Sequence, residues 1–208
     1  MSVVLGSRSP RRRELLPSVL GNVDFRIVPP ASDDEPGFNG LHSAEQFETR
    51  LREIVALKHA DVSAQLAASQ SADVVICADT IVVAWSADKE AVVLGKTPVE
   101  SWQQTVRHWF AEYYSGRHHE VWTCFRITMG DQFRESIVKT KVLFCTLDDW
   151  TIDWYISTDE SVGKAGGYGI QGRASMLVLA VEGSFTNVVG LPMMEVTRTL
   201  RDFGVLEE

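Results

Sequence analysis

The sequence predicts a mixed α/β domain, and three observations carry that expectation. Short apolar runs rich in β-branched residues alternate with segments of helical period through the first half of the chain. The second half reads strand, strand, helix, strand, helix. No internal repeat, low-complexity tract or linker divides residues 1–208, so a single domain is expected, and 45% hydrophobic content is enough for a proper core.

In chain order, "VVLG" is a short buried strand. Ser9 as N-cap and Pro10 in the first turn open a helix in which Leu15 and Leu16 are matched at i+4 by Val19 and Leu20. "FRIV" is a second strand. "PPASDDEPGFNGLH", rich in Pro, Gly and acid, is a loop long enough to be functional. Ser43 and Gln46 form a capping box for a helix whose apolar stripe runs Phe47, Leu51, Ile54, Val55 and continues by spacing to Lys58. "ADVVICADTIVVAW" is a β-rich run interrupted by Asp79 and Thr80, and "AVVLG" pairs with it through the turn "SADKE". Thr97, Pro98 and Glu100 supply the N-cap, first-turn proline and capping-box acid of a helix that Gly116 stops. "HEVWTCFRITM" and "ESIVKTKVLFCTL" are long strands joined as a hairpin by "GDQF". "DDWTIDWYIST" is a helix, "SMLVLAVEG" a strand, and Pro192 opens a last helix ending near Gly204.

Composition narrows the function. No apolar run approaches the roughly 20 residues that span a bilayer, and "MSVVLG" passes to "SRSP" without a signal-peptide core, so a cytoplasmic protein is expected. The net charge of −8 disfavours nucleic acid and anionic membranes as partners but leaves room for a small anion matched locally. Cys77, Cys124 and Cys145 have no CxxC spacing and are expected as buried reduced thiols rather than disulfides or a zinc site.

Five features look placed for chemistry. Arg11, Arg12 and Arg13 occupy the first turn of a helix, where the dipole disfavours cations, so an anion would make sense of them. At about 100° per residue they fan too widely to reach one phosphate chain together. Asp79, inside an apolar run, must be paired, bound to a metal, or placed at a strand end facing a cleft; an Asp that ends a strand and caps a turn is the plain alternative. Lys58 either snorkels from the core edge to solvent or serves a site. The acids Asp33, Asp34 and Glu35 are either only solvated or, with a strand acid, able to hold a hard cation that keeps waters for a phosphate. "GKAGGYGIQG" lacks the context of a dinucleotide fingerprint and the order of a P-loop; it closes over the core or approaches a ligand, and Gln171 can donate and accept at once. Guanidinium forks, Lys58, Lys96, Asp79 and Glu35 together suit a Mg²⁺-bound polyphosphate.

Taken in order, "LGSRSPRRRELL", "ALKHA", "ADTIVV", "LGKTP", "SGRHHEVWT", "TKVLF", "GKAGGYGIQG" and "NVVGLP" resemble the Maf family of nucleotide pyrophosphatases over nearly the whole chain. The resemblance implies a mixed central sheet flanked by helices, with a central cleft, related to the inosine triphosphate pyrophosphatase (anticodon/anion-binding-like) fold. It implies a homodimer, a divalent cation (Mg²⁺ or Mn²⁺), and cleavage of a nucleoside triphosphate between the α and β phosphates. It places the water-activating base on Asp79, with Glu35, Lys58, Lys96 and Arg12 as further catalytic groups and Glu35 and Asp79 as metal ligands. Ser7, Ser9, Arg12 and Lys164 fall to phosphate and nucleotide binding, and Arg13 to the surface. Arg11, Thr80 and Gln171 occupy the selectivity positions and resemble the subfamily acting on dTTP and UTP; the 7-methyl-GTP subfamily has Trp and Glu at the first and third. Two departures stand out: Gly163 replaces an acid before "KAG", and Cys77 a glycine before "ADT". A nucleotide-sensing regulator of cell division is the reading from another class.

Overall fold

The computed structural model describes residues 2–32, 34–67 and 74–206. Seven strands form one mixed sheet, and its register explains where a cleft opens. β1 (Ser2–Gly6) pairs in parallel with β2 (Asp24–Ile27) on one side and with β3 (Val74–Trp85) on the other. β5 (His118–Met129), β6 (Gln132–Phe144) and β7 (Val178–Glu182) continue the sheet antiparallel beyond β3. β3 is longer than β1, which pairs with it only as far as Cys77. β4 (Ala91–Leu94) then pairs antiparallel with β3 from Val82 to Trp85. Because β5 already takes the other edge from Val75 to Val83, β1 and β4 share one edge of β3. Between them, Ala78 to Ile81 have no strand neighbour on that edge, an opening of roughly 13 Å at 3.3 Å per residue.

The helices cover both faces. α1 (Pro10–Leu15) and α2 (Pro17–Leu20) follow β1, α3 (Ala44–Ala67) follows the acidic loop, and α4 (Trp102–Trp109) runs into a π-helical turn, Phe110–Tyr114. α5 (Asp149–Ile156), α6 (Phe185–Val189) and α7 (Met193–Asp202) belong to the second half. On one face, Phe47, Leu51, Val55 and Val62 of α3 pack on Val4, Val75, Cys77, Val83, Trp122 and Cys124. On the other, Leu16, Val196 and Leu200 pack on Val3, Leu5, Ile76 and Phe125, while Phe110, Tyr114, Tyr155 and Phe144 make an aromatic core. Strand alternation therefore turns odd-numbered β3 residues toward α3 and even-numbered ones away. Among the described residues no helix is long and apolar enough to cross a membrane.

The Ser43–Gln46 capping box forms reciprocally, at 3.3 and 3.1 Å. Four expectations are corrected. The helix after Ser9 is two short helices, because Pro17 has no N–H to continue the first and instead starts the second. β3 runs without interruption through Asp79 and Thr80, held by its full pairing with β5; the residues expected ahead of it, 72 and 73, lie outside those described. The helix expected from Pro98 starts at Trp102 behind Ser101, since a backbone bridge from Lys96 to Ala165 keeps the chain extended and the Thr97 hydroxyl donates to Ser161 O instead of capping. The first part of "SMLVLAVEG" is a 3-10 turn, Arg173–Leu177, whose leading amides of Arg173 and Ala174 donate to Glu160.

All three cysteines are free thiols, Cys77 and Cys124 buried and Cys145 partly so. Cys77 fits where it does because it faces Gly6: a Cβ on Gly6 would lie 2.4 Å from its sulfur.

Candidate active site

The opening in the β3 edge leads into a cleft of about 730 Å³, lined by residues from both faces of the sheet. That size suits a small-molecule ligand. Asp79 is odd-numbered and turns toward α3, where Lys58 continues the stripe of Phe47, Leu51, Ile54 and Val55. The Lys58 ammonium lies 2.5 Å from Asp79 Oδ1 and 3.1 Å from Glu35 Oε1. Their side chains keep 13% (Lys58), 17% (Asp79) and 33% (Glu35) of their exposure, so the pair is partly desolvated and opens to the cleft. Two sequence-level alternatives fall here. Lys58 does not snorkel to bulk solvent, and Asp79 caps no turn.

Glu35 reaches Lys58 from the loop before α3. Arg8 holds that loop by donating to Pro30 O (2.6 Å) and Ala31 O (3.3 Å), while Asp61 accepts from the amides of Ala31 (2.8 Å) and Ser32 (3.2 Å). Neither Arg8 nor Asp61 was marked by the sequence reading, although Asp61 lies three residues beyond Lys58 and so on the same helix face. Asp34 is exposed; Asp33 lies outside the described residues.

Thr80 is even-numbered and turns to the other face, where Arg12 meets it. Arg12 is only 7% exposed. Its Nε donates to Gly190 O (2.7 Å), Nη1 to Ala78 O (2.8 Å) and Ser7 Oγ (3.2 Å), and Nη2 to Thr80 Oγ1 (2.9 Å). The Ala78 carbonyl is one that a neighbouring strand would have paired, so the guanidinium fills the gap in the sheet. Burial lowers the Arg12 pKa and the Asp79 charge works against that, and an arginine guanidinium stays cationic in proteins. Ser7 Oγ also accepts from Ser9 N, and Ser9 Oγ accepts from Arg12 N as the helix cap. Both hydroxyls act here as acceptors and keep a hydrogen to donate. Arg11 is half-buried, donates to Val189 O (3.2 Å) and also lines the cleft; Arg13 is exposed and outside the lining.

The glycine-rich segment forms the opposite wall. Gly166 N donates to Leu94 O and Gly95 O (3.0 Å each), and the buried Tyr114 hydroxyl donates to Gly166 O (2.8 Å). A Cβ on Gly166 would meet Val82 at 2.6 Å and the Tyr114 hydroxyl at 2.7 Å, and its φ of +70° is one that side chains resist. Tyr168 is tied to His119 Nε2 at 2.8 Å. His119 is fully buried, and desolvation pushes its pKa down to about 3, so the ring is neutral. Lys96 and Gln171 line the cleft as exposed residues, while the Lys164 stem runs along Gly169 and its ammonium donates to Glu160 O. Gly163 lies at the same lip. Part of the lining is apolar, with Val82, Val121, Ile170 and Val188, none of which the sequence reading had marked. They come from four separate segments, and only the fold unites them.

The donor set bears on a metal. Asp79 and Glu35 converge on one cation, the Lys58 ammonium, so both carboxylates already face a common cationic position. Among the described residues no group of three or more His, Cys, Asp or Glu could hold a metal. Two carboxylates fit a hard, hydrated cation shared with a phosphate ligand, and do not make a closed nitrogen- or sulfur-ligated site.

Sequence comparisons agree with this geometry. A family model described as Maf-like protein matches residues 2–203. The chain is 38% identical over 205 residues to a dTTP/UTP pyrophosphatase of Cereibacter sphaeroides, covering 99% of this chain and 96% of that protein. It is 36% identical over 208 residues to one from Shewanella sp. strain MR-7 (99% and 100% covered) and 38% identical over 198 residues to one from Pyrococcus furiosus (95% and 93%). By whole-length similarity the chain belongs to the Maf family.

Proposed function

We propose that the protein is a nucleoside triphosphate pyrophosphatase that cleaves dTTP and UTP to the monophosphate and pyrophosphate, acting on free nucleotides in the cytoplasm. One observation carries the reading: a single cleft lined by the Asp79–Lys58–Glu35 cluster and the buried Arg12 together with Gln171 and apolar side chains. The names of the relatives support the same substrates.

In this reading the triphosphate lies along Arg12, Lys96, Lys164, Ser7 and Ser9, whose N–H and O–H groups meet its non-bridging oxygens. Asp79 takes a proton from a water as its oxygen bonds the α phosphorus; the α–β bridging bond breaks and pyrophosphate leaves with the electron pair. Lys58, 2.5 Å from Asp79, aims the carboxylate before that transfer. Asp79 and Glu35 would hold a Mg²⁺ or Mn²⁺ ion, which when bound neutralises phosphate charge. The Gln171 amide can accept from the N3–H of uracil or thymine while donating to a neighbouring carbonyl, with Arg11 as a further donor to the pyrimidine edge.

The test is a panel of nucleoside triphosphates with each metal, scored for pyrophosphate and monophosphate. Turnover of dTTP and UTP above all others is the expected result. Strong turnover of 7-methyl-GTP with none of dTTP or UTP overturns the substrate assignment, and nucleotide binding without product in the presence of metal favours a sensor instead.

A further inference from the structure

We propose that Thr123 and Asn187 are positioning residues for Arg12, acting on it through Thr80. Thr80 and Thr123 stand directly opposite each other on β3 and β5, and their hydroxyl oxygens are 2.9 Å apart. Thr123 and Asn187 are fully buried. The direction of every hydrogen bond in the chain follows from the groups at its two ends. Arg12 can only donate, so Thr80 Oγ1 accepts from Nη2 at 2.9 Å. At the other end the Asn187 backbone carbonyl can only accept, so Thr123 donates to it at 3.3 Å. With its one hydrogen directed there, Thr123 accepts from Thr80, whose other acceptor, Gly190 O, is farther away at 3.4 Å against 2.9 Å. The chain therefore runs one way, from guanidinium to Thr80 to Thr123 to the Asn187 carbonyl.

Asn187 is a fixed anchor for that chain. Its side-chain amide donates to Val121 O (2.9 Å) and Thr140 Oγ1 (3.0 Å), and its backbone N–H donates to Ser184 Oγ (3.2 Å). Three residues on, the same segment presents Gly190 O to Arg12 Nε at 2.7 Å. Four of the five guanidinium N–H groups thus go to protein acceptors from β1's loop, β3 and α6, leaving one on Nη2 for a ligand. Because the fork is planar, the acceptors that hold four hydrogens also aim the fifth. Thr80, assigned by resemblance to base selection, then acts at the phosphate end of the cleft.

The inference rests on Arg12 meeting phosphate, and its test reads that directly with inorganic pyrophosphate. Calorimetric affinity for pyrophosphate and dTTP kinetics are measured for wild type, Thr123→Val, Thr123→Ser, Thr80→Val and the Thr80→Val/Thr123→Val double variant, each assayed well below its melting temperature. Thr123→Val should weaken pyrophosphate binding by about fivefold or more, Thr123→Ser should recover to about twofold of wild type, and the double variant should lose no more than Thr80→Val alone. Thr80→Val breaks the same chain from the half-buried cleft side and must give the same loss, which keeps the test open should Thr123→Val fold poorly. Lowered melting temperature with unchanged pyrophosphate affinity, or additive losses in the double variant, overturns the proposal. Wild type that cleaves dTTP while the variants bind pyrophosphate normally sinks this inference alone. Wild type that neither cleaves dTTP nor binds pyrophosphate sinks it together with the functional reading.

Discussion

The two ends of the cleft are held by different means. At the polar end side chains hold side chains: Lys58 bridges Asp79 and Glu35, and Arg12 ties together Ser7, Ala78, Thr80 and Gly190. At the glycine-rich end backbone is held by backbone and by buried rings: Gly166 on Leu94 and Gly95, Tyr114 on Gly166, and Tyr168 on His119. Charge is concentrated where a phosphate chain would lie, and shape where a base would be gripped. A change at the first end should therefore be read in phosphate binding and turnover, and one at the second mainly in stability and KM for the nucleotide.

The largest effect expected is at Asp79. Asp79→Asn keeps the shape and removes the base, so turnover of dTTP should fall by about 10²- to 10⁴-fold. The melting temperature should move little, since Lys58 retains Glu35 as partner and a partly exposed ion pair contributes little net stability. Pyrophosphate release decides it: turnover within a few-fold of the parent would remove Asp79 from the role of base.

Gly166→Ala tests the other end. The new methyl would meet Val82 and the Tyr114 hydroxyl at 2.6 and 2.7 Å, at a φ of +70°. The cost expected is about 2–4 kcal/mol, from strain plus overpacking. In a chain this long that lowers the melting temperature by roughly 5–10 °C. If the two ends are separate devices, KM for dTTP rises while affinity for inorganic pyrophosphate stays near wild type. A parallel loss of both would show the ends to be coupled.

The same division explains what could be read from the sequence. Local chemistry was legible: the Ser43–Gln46 capping box, the stripe that ends on Lys58, and the alternatives open to Asp79 all follow from residues near one another in the chain. The cleft was not, because it exists only where β1 stops at Gly6 and β4 ends at Leu94 along the same edge of β3. Thr97 looked like a helix cap until the Lys96–Ala165 bridge held it extended. Asp79 looked like a strand break, since a charge in an apolar run signals an interruption unless its partner is known. That partner, Lys58, lies on another element, and only strand alternation brings them to one face.

pH should act at the glycine-rich end through His119. Its pKa falls from 6.5 to about 3 because burial penalises the charged ring. The folded protein keeps it neutral, whereas the unfolded chain protonates it below pH 6.5. The contribution is therefore intact above that value and is lost as pH falls from 6.5 toward 3, amounting to about 2 kcal/mol by pH 5. His119→Gln gives up the bond to Tyr168 and should be less stable at neutral pH, but its stability should decline less between pH 6.5 and 5. An equal decline in both proteins would locate the acid sensitivity elsewhere.

The smallest effect expected separates three adjacent arginines. Arg13 is exposed, lies outside the cleft lining and sits in the last turn of the six-residue α1, where the dipole does not oppose a cation. Arg13→Gln should leave dTTP turnover within about twofold and stability within about 0.5 kcal/mol, the usual range for a surface substitution. Arg12→Gln, by contrast, leaves the Gly190 and Ala78 carbonyls without a partner and removes the buried charge, so it should lose turnover and stability together. Arg11→Gln falls between them, altering KM more than melting temperature, because Arg11 is half-buried with one bond to Val189 O. Equal losses at all three positions would mean that the run acts as an undivided cationic patch, and that the planar packing of Arg12 in the sheet opening has no special consequence for the ligand.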